Sequence, residues 1–364
     1  MAPSAGGGAL DHTAPVWPTL SDPALRLDEE IVTYGELAVL GADTGMLDEA
    51  RAVTVGALGA LKESAAEPSR DDVRAEAAAF RHSRHLQSGA DLRVWLAARH
   101  LTTADWEGFL VRSLAARALP AVPGDATAGA GELEAVLVVD LACSGWWKRV
   151  AGEATRSWAA ERLSGELPAT GRTAAPDAEA VSREDAGELV TGLGFLGRVG
   201  GDWCADRLAV VRMRRQALEA AESRYGSAEM VAERIADHAV DWLQFVFDEI
   251  RLPTRSAAQE ALLCAREDGL DPEEIARRSR RPLERRQLRR DDLPHGIAAV
   301  LSGAVPGEPL GPIETEEGAS VMWLHQRRPP SPSDPAIRRQ AATELLEEAL
   351  DRASNGLAST VGVL

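Results

Sequence analysis

Between His238 and Glu249 the hydrophobic period of this chain changes. Upstream, apolar residues recur at three- and four-residue spacing, the mark of amphipathic helices. From Trp242, the residues Trp242, Gln244, Val246 and Asp248 alternate against Leu243, Phe245, Phe247 and Glu249. A period of two is that of a strand. A chain that switches period in this way needs a sheet after a helical body, so one all-helical bundle is excluded. The expected class is α+β and mostly α.

Composition supports that division. Only 4% of the 364 residues are aromatic while 45% are hydrophobic, so Ala- and Leu-rich helical packing dominates. A length of 364 suggests two or three domains. The formal net charge is −17, which opposes general binding to nucleic-acid phosphates. Cys143, Cys204 and Cys264 are too few and too scattered for a disulfide framework or a thiolate zinc site. The first residues, MAPSAGGGALDHTAP, lack the basic and apolar regions of a secretory signal. The longest apolar run, Ala135 to Cys143, contains Asp140 and is too short to span a bilayer. A cytoplasmic protein with no membrane partner is the expectation.

Residues 1–30, rich in Gly and Pro, are expected to be loose. Thr33 to Leu61 has helical spacing interrupted by glycines, which suggests two short helices. Ser69 or Asp71 is a candidate cap for a helix running to about His85, with Val73, Ala77 and Phe80 on one face. Ser88 opens another, with Leu92, Trp95 and Leu96 inward. Thr102 and Asp105 have capping-box spacing before Trp106, Phe109, Leu110 and Leu114. Short connections between these three imply a small antiparallel bundle. Linkers are expected at 120–132 and 164–180. Leu133–Leu163, Asp202–Tyr225 and Ala228–His238 read as helices.

After the first strand, Ser256–Glu267 reads as a helix, with Gly269 as its breaker. Asp271 caps the next, with Pro272 at its first position. Leu283–Arg290 is a second strand and Gly296–Leu301 a short helix. Gly311–Thr315 and Ser320–Gln326 complete a sheet around a turn at Glu316–Ala319. A last helix begins at Asp334–Pro335, carries Ile337, Ala341, Leu345 and Ala349, and ends at Asn355–Gly356.

Several constellations invite chemistry. His82 and His85 share a helix face and His100 follows, but no acid stands at metalloprotease spacing, and surface histidines are the expectation. Gly192, Gly194 and Gly197 match a dinucleotide fingerprint literally. The preceding SREDAGELV reads as a helix start, whereas that fingerprint needs a strand, so a joint between helices is expected. The three cysteines read as small buried hydrophobes. Trp95, Trp106, Trp146, Trp147, Trp158 and Trp203 suit helix core, or a groove for apolar peptides. RRSRRPLERRQLRR at 277–290 holds eight Arg and one Glu; it reads either as a solvated face or as a docking surface for an acidic peptide, with Arg285, Arg286 and Arg289 on the strand. Asp248 and Glu249 point to opposite faces of their strand. Glu249 is either a general acid or base in a cleft or a carboxylate paired with Arg, with Arg289 as the candidate. No cofactor or metal is expected.

DWLQFVFDEIRLPTRSAAQEALLCAREDGLDPEEIA and AVPGEPLGPI, in that order of elements, resemble the parvulin-type peptidyl-prolyl isomerase domain. The earlier segment DDVRAEAAAFRHSRHLQSGADLRVWLAARHLTTADWEGFLVRSLAAR is similar in rhythm to the helices of SurA-like foldases. The whole looks like actinobacterial peptide maturation system proteins, which carry a parvulin-related region and are thought to serve clusters making modified ribosomal peptides. The resemblance implies a SurA-like helical domain at 31–119, a second helical region at 133–239, a parvulin-like α/β sandwich at 240–328, and a C-terminal helix at 333–356 packing back on the helical region.

The active parvulin pattern has two His on neighbouring central strands. The resemblance puts Glu249 at the first and Ser320 at the second, the two candidates for any catalytic role. It carries the proline pocket's Met to Leu293 and its two Phe to Ile297 and Ser302, while the Pro306-Gly307-Glu308 turn is kept. Phe247 and Met322 join these as expected peptide-binding residues. Prolyl isomerisation faces a barrier of ~20 kcal/mol and needs no nucleophile, only a site that holds a twisted amide. Losing both His and the aromatic lid implies little isomerase activity with peptide binding kept. Three functions follow: a peptide-binding, chaperone-like protein with a degenerate parvulin domain that assists maturation of a ribosomally synthesised peptide; an active prolyl isomerase; or a peptide-modifying enzyme of another class. The implied partners are a precursor peptide or other polypeptide and a modifying enzyme of the same pathway.

Overall fold

A computed structural model describes residues 18–63, 68–118, 130–165, 181–315, 318–354 and 358–360. The described residues form two compact units, Met1–Ala221 with Ala349–Leu364, and Glu222–Glu348. The class is α+β and mostly α, with fourteen α-helices and two small antiparallel sheets among the described residues. The linker expected at 120–132 lies mostly, and that at 164–180 almost wholly, outside them. So do the helix end at Asn355–Gly356 and half of the turn at Glu316–Ala319.

The first unit opens with β1 (Pro23–Leu27) and β2 (Glu30–Thr33), an antiparallel hairpin, with β7 (Ala358–Thr360) on the other side of β1. For residues 18–30 this corrects the expectation of a loose segment, since Leu25 and Leu27 are buried in the main core; the rest of that expectation, at 1–17, lies outside the described residues. Then come α1 (Tyr34–Asp43) and α2 (Met46–Glu63), separated at Gly45, whose φ is +75°. Thr33 caps α1 in a full capping box with Glu36. Two of the glycines that weaken this stretch on paper serve packing. The rings of Trp203 and Trp146 lie where Cβ atoms on Gly35 and Gly41 would stand.

The bundle follows as α3 (Arg70–Ser83), α4 (Gly89–Ala97) and α5 (Thr103–Ala118). Its core holds Phe80, Leu92, Leu96, Trp106 and Leu110, with Val73, Ala77, Trp95 and Phe109 against them. These are the faces the spacing predicts. Ser69 and Ser88 cap as expected, and Thr102 and Asp105 exchange their capping-box hydrogen bonds. The single helix expected at Leu133–Leu163 is two, α6 (Ala130–Cys143) and α7 (Trp146–Gly165), broken where Gly145 takes φ +76°. Next are α8 (Arg183–Leu193) and α9 (Gly201–Tyr225). One cluster joins α1, α6, α7, α8 and the first hairpin through Leu37, Leu141, Trp146, Trp147 and Leu193. The helical stretches separated in the sequence reading at 31–119 and 133–239 thus share one unit as far as Ala221.

The second unit starts in α9, continues with α10 (Ala228–Asp237) and enters β3 (Gln244–Leu252). It then runs α11 (Arg255–Arg266), α12 (Pro272–Ser279), β4 (Leu283–Arg289), α13 (His295–Gly303), β5 (Pro309–Thr315), β6 (Gly318–Arg328) and α14 (Pro335–Ser354). The sheet order is β4-β3-β6-β5, with every neighbour antiparallel. Because side chains alternate, β3 serves two cores. Ile250 and Leu252 face Ala258, Leu262 and Ile275 of α11 and α12. Phe245 and Phe247 face Leu301 of α13, along with Met322 and Leu324. A third cluster joins Val231, Ile235 and Trp242 to Ala341 and Ile337 of α14.

Candidate functional site

The strand alternation that builds two cores also carries two adjacent carboxylates to opposite faces of β3. Both are buried, Asp248 at 3% and Glu249 at 4% exposure. A buried carboxylate must be paired or hydrogen-bonded, and the neighbouring strands supply the partners. On the α13 face, Ser320 Oγ donates to Glu249 Oε1 at 2.7 Å. Arg286 Nε lies 2.9 Å and Arg251 Nε 3.4 Å from Glu249 Oε2. The Arg partners of Glu249 are therefore Arg286 and Arg251. Arg289, the expected candidate, lies on the other face of β4 and pairs with Asp291, Asp292 and Gln340.

On the opposite face, Arg285 holds Asp248 with two hydrogen bonds of 2.9 and 3.1 Å, and His325 Nε2 stands 2.8 Å from Asp248 Oδ2. A register shift in β6 between the partners of Val246 and Phe247 leaves His325 as the extra residue. Burial pushes the Asp248 carboxyl up, but the hydrogen bonds and charges of Arg285 and His325 outweigh it and hold the group below its ordinary value.

The two positions at which the resemblance puts paired His, Glu249 and Ser320, thus meet across β3 and β6, although 71 residues separate them. The expected peptide-binding residues divide. Phe247 and Met322 are each 1% exposed and belong to the core under α13, so a peptide touches them only if α13 moves. Leu293 and Ile297 are half-buried against that core and Ser302 is exposed. Val300 and Val305, exposed and not singled out from sequence, add apolar surface along α13 and after it.

The basic run is far less free than its composition suggests. Arg277 and Arg278 bind Glu274, Arg285 binds Asp248, Arg286 binds Glu249 and Glu284, and Arg290 binds Asp241. Arg289 is taken as above. Only Arg280 and Arg281, both exposed, have no ion pair among the described residues.

The other constellations have structural roles. His85 and His100 take φ of +56° and +52° just past α3 and α4. Leu86 N–H bonds Arg81 O and Leu101 N–H bonds Leu96 O, which is the Schellman helix stop. With His82 both are exposed, and no group of three or more metal-binding side chains occurs among the described residues. Cys143 and Cys204 are buried; burial pushes the Cys143 thiol up to about 12 and raises that of Cys204, which disfavours the thiolate at both. Gly192 lies in the last turn of α8, and Gly194 and Gly197 fall between α8 and α9, the joint between helices that the sequence predicts, with no strand before them. Residues 194–200 line an open cleft of about 740 Å³ in the first unit, with Leu20 and Trp203.

No helix among the described residues is long and apolar enough to cross a membrane. No protein-family model matches the chain, and no curated protein matches it.

Proposed function

We propose that this protein is a peptide-binding, chaperone-like factor whose second unit is a degenerate parvulin-type domain, serving the maturation of a ribosomally made peptide. The observation that carries the reading is the meeting of Glu249 and Ser320 at 2.7 Å, at the two positions the resemblance assigns to paired His. The sheet order β4-β3-β6-β5, with two helices between β3 and β4 and one between β4 and β5, adds support. The peptide meets Leu293, Ile297 and Ser302 with the exposed Val300 and Val305, and α13 screens the deeper Phe247 and Met322. Isomerase activity is not favoured. Glu249 already has Ser320, Arg286 and Arg251 as partners, and Ile297 and Ser302 stand where the resemblance puts the two Phe of the proline pocket.

Two measurements test this. A model protein diluted from urea should scatter less light when the full chain is present at equimolar concentration; undiminished scattering, together with no binding to the precursor peptide at low salt, rejects the reading. Exchange spectroscopy on a proline-containing tetrapeptide should show no acceleration. A clear rate gain that disappears in Glu249→Ala would favour the isomerase instead.

A further inference from the structure

The four-stranded sheet has two outer strands, and they are unlike. β5 carries Pro309 and Pro312, which have no N–H to offer. β4, Leu-Glu-Arg-Arg-Gln-Leu-Arg, contains neither Pro nor Gly and pairs with β3 along its whole length. The phase of that pairing is fixed by the hydrogen bond from Arg290 N–H to Leu243 O at 2.8 Å. In an antiparallel ladder, hydrogen-bonded and non-hydrogen-bonded pairs alternate. Glu284, Arg286 and Leu288 therefore turn their backbone groups toward β3. Leu283, Arg285 and Gln287 turn theirs outward, and no partner for them occurs among the described residues. The Arg289 carbonyl closes the row by accepting from Asp292 N–H.

We propose that this edge of β4 is a strand-addition site for an extended, acidic polypeptide segment. The inference rests on the peptide-binding reading for the kind of ligand but puts it at a different place. A second copy of the chain is a poorer fit. Outward residues must pair with outward residues, and the fully overlapping register sets Arg286 on Arg286 and a shifted one sets Arg285 on Arg289 twice; the register with Arg285 on Arg285 sets Glu284 against Arg286 but overlaps over five residues only. Like charges facing each other oppose self-pairing and favour a partner of opposite sign. The uncompensated charge is also local. Arg280 and Arg281 precede the strand, exposed and without an ion pair among the described residues, while the whole chain carries −17. A segment added antiparallel, as every strand here is, brings its C-terminal end to Arg280 and Arg281. The ligand is therefore an uncharged extended run followed by carboxylates.

The test uses the full chain and a labelled synthetic peptide of alternating threonine and valine ending in glutamates, with a second peptide carrying its glutamates first. The first should bind more tightly than the second. Gln287→Pro removes an outward N–H and leaves the β3 ladder intact, so it should weaken binding roughly tenfold. Arg280→Glu with Arg281→Glu should also weaken it roughly tenfold, and less so at high salt. Hydrogen exchange of the wild type should slow across Leu283–Arg289 when the peptide is added. Unchanged exchange there, or full affinity in Gln287→Pro with wild-type thermal unfolding, overturns the proposal. Binding lost in Ser302→Trp but kept in Gln287→Pro leaves peptide binding standing beside α13 and removes the edge. A wild type that binds neither peptide overturns the edge proposal, while the scattering and precursor-binding measurements still judge the chaperone reading.

Discussion

The three-helix bundle α3–α5 and the four-stranded sheet are held in different ways. The bundle closes on aromatic contacts: Phe80 meets Trp95, Trp106 and Phe109 edge-on, at centroid distances of 5.3, 5.7 and 6.1 Å. Its helix starts are capped from within three residues. The sheet closes on apolar residues too, yet its central strand also buries two carboxylates, each satisfied by an arginine from the next strand. Area burial depends little on pH and salt, so the bundle should respond to both less than the sheet, whose buried carboxylates depend on ion pairs. A buried pair is also asymmetric: removing one member leaves the other charged group without its partner, which costs more than the pair contributes.

The largest expected effect tests the bundle. Phe80→Ala should destabilise it by about 3–5 kcal/mol through cavity formation, read as a lower urea midpoint that is unchanged by salt. A loss well below that would mean that the aromatic cluster is not what holds α3–α5. Next, Glu249→Ala removes the acceptor shared by Ser320, Arg286 and Arg251. A cost of about 2–4 kcal/mol is expected, lessened because Arg286 reaches water, and it should shrink on adding Ser320→Ala. Strict additivity of the two would show that the pair is not coupled.

The Asp248 carboxyl sits below its ordinary value in the folded chain. Its stabilising contribution is therefore fully present above the unfolded value of about 3.9 and is lost as pH falls through the lower folded value. Urea midpoints measured between pH 2.5 and pH 7 should drop below about pH 4 in the wild type and fall less steeply in Asp248→Asn. Equal slopes would remove Asp248 from the account. The smallest effect is the capping residue: Ser88→Ala should cost about 1 kcal/mol, confined to faster amide exchange in the first turn of α4.

The same contrast explains what could be read in advance. The faces of α3, α4 and α5, the caps at Ser69, Ser88 and Asp271, and the strand Gln244–Leu252 depend on neighbours a few residues away, so spacing reveals them. The hairpin β1–β2 was missed because its strands have five and four residues, and its third strand lies more than three hundred positions downstream. The break between α6 and α7 was missed because helical spacing continues across Gly145. The Glu249–Ser320 contact was suggested only through a resemblance; the Arg partner was misassigned because register, not composition, decides which of Arg285, Arg286 and Arg289 shares a face with Glu249. The run of arginines read as open charge, and its neutralisation by Asp241, Asp248 and Glu274 appears only when strands and helices are paired.

Local order along the chain, meaning where helices start, where the period becomes two and which residues are apolar, was set by the sequence alone, since those effects act over one or two turns. Which carboxylate meets which arginine, which of the expected binding residues end up beneath α13 and which edge of the sheet keeps open hydrogen-bonding groups were decided by the tertiary structure. Pairing register and helix docking bring together groups that lie tens of residues apart, and no short-range pattern encodes that distance.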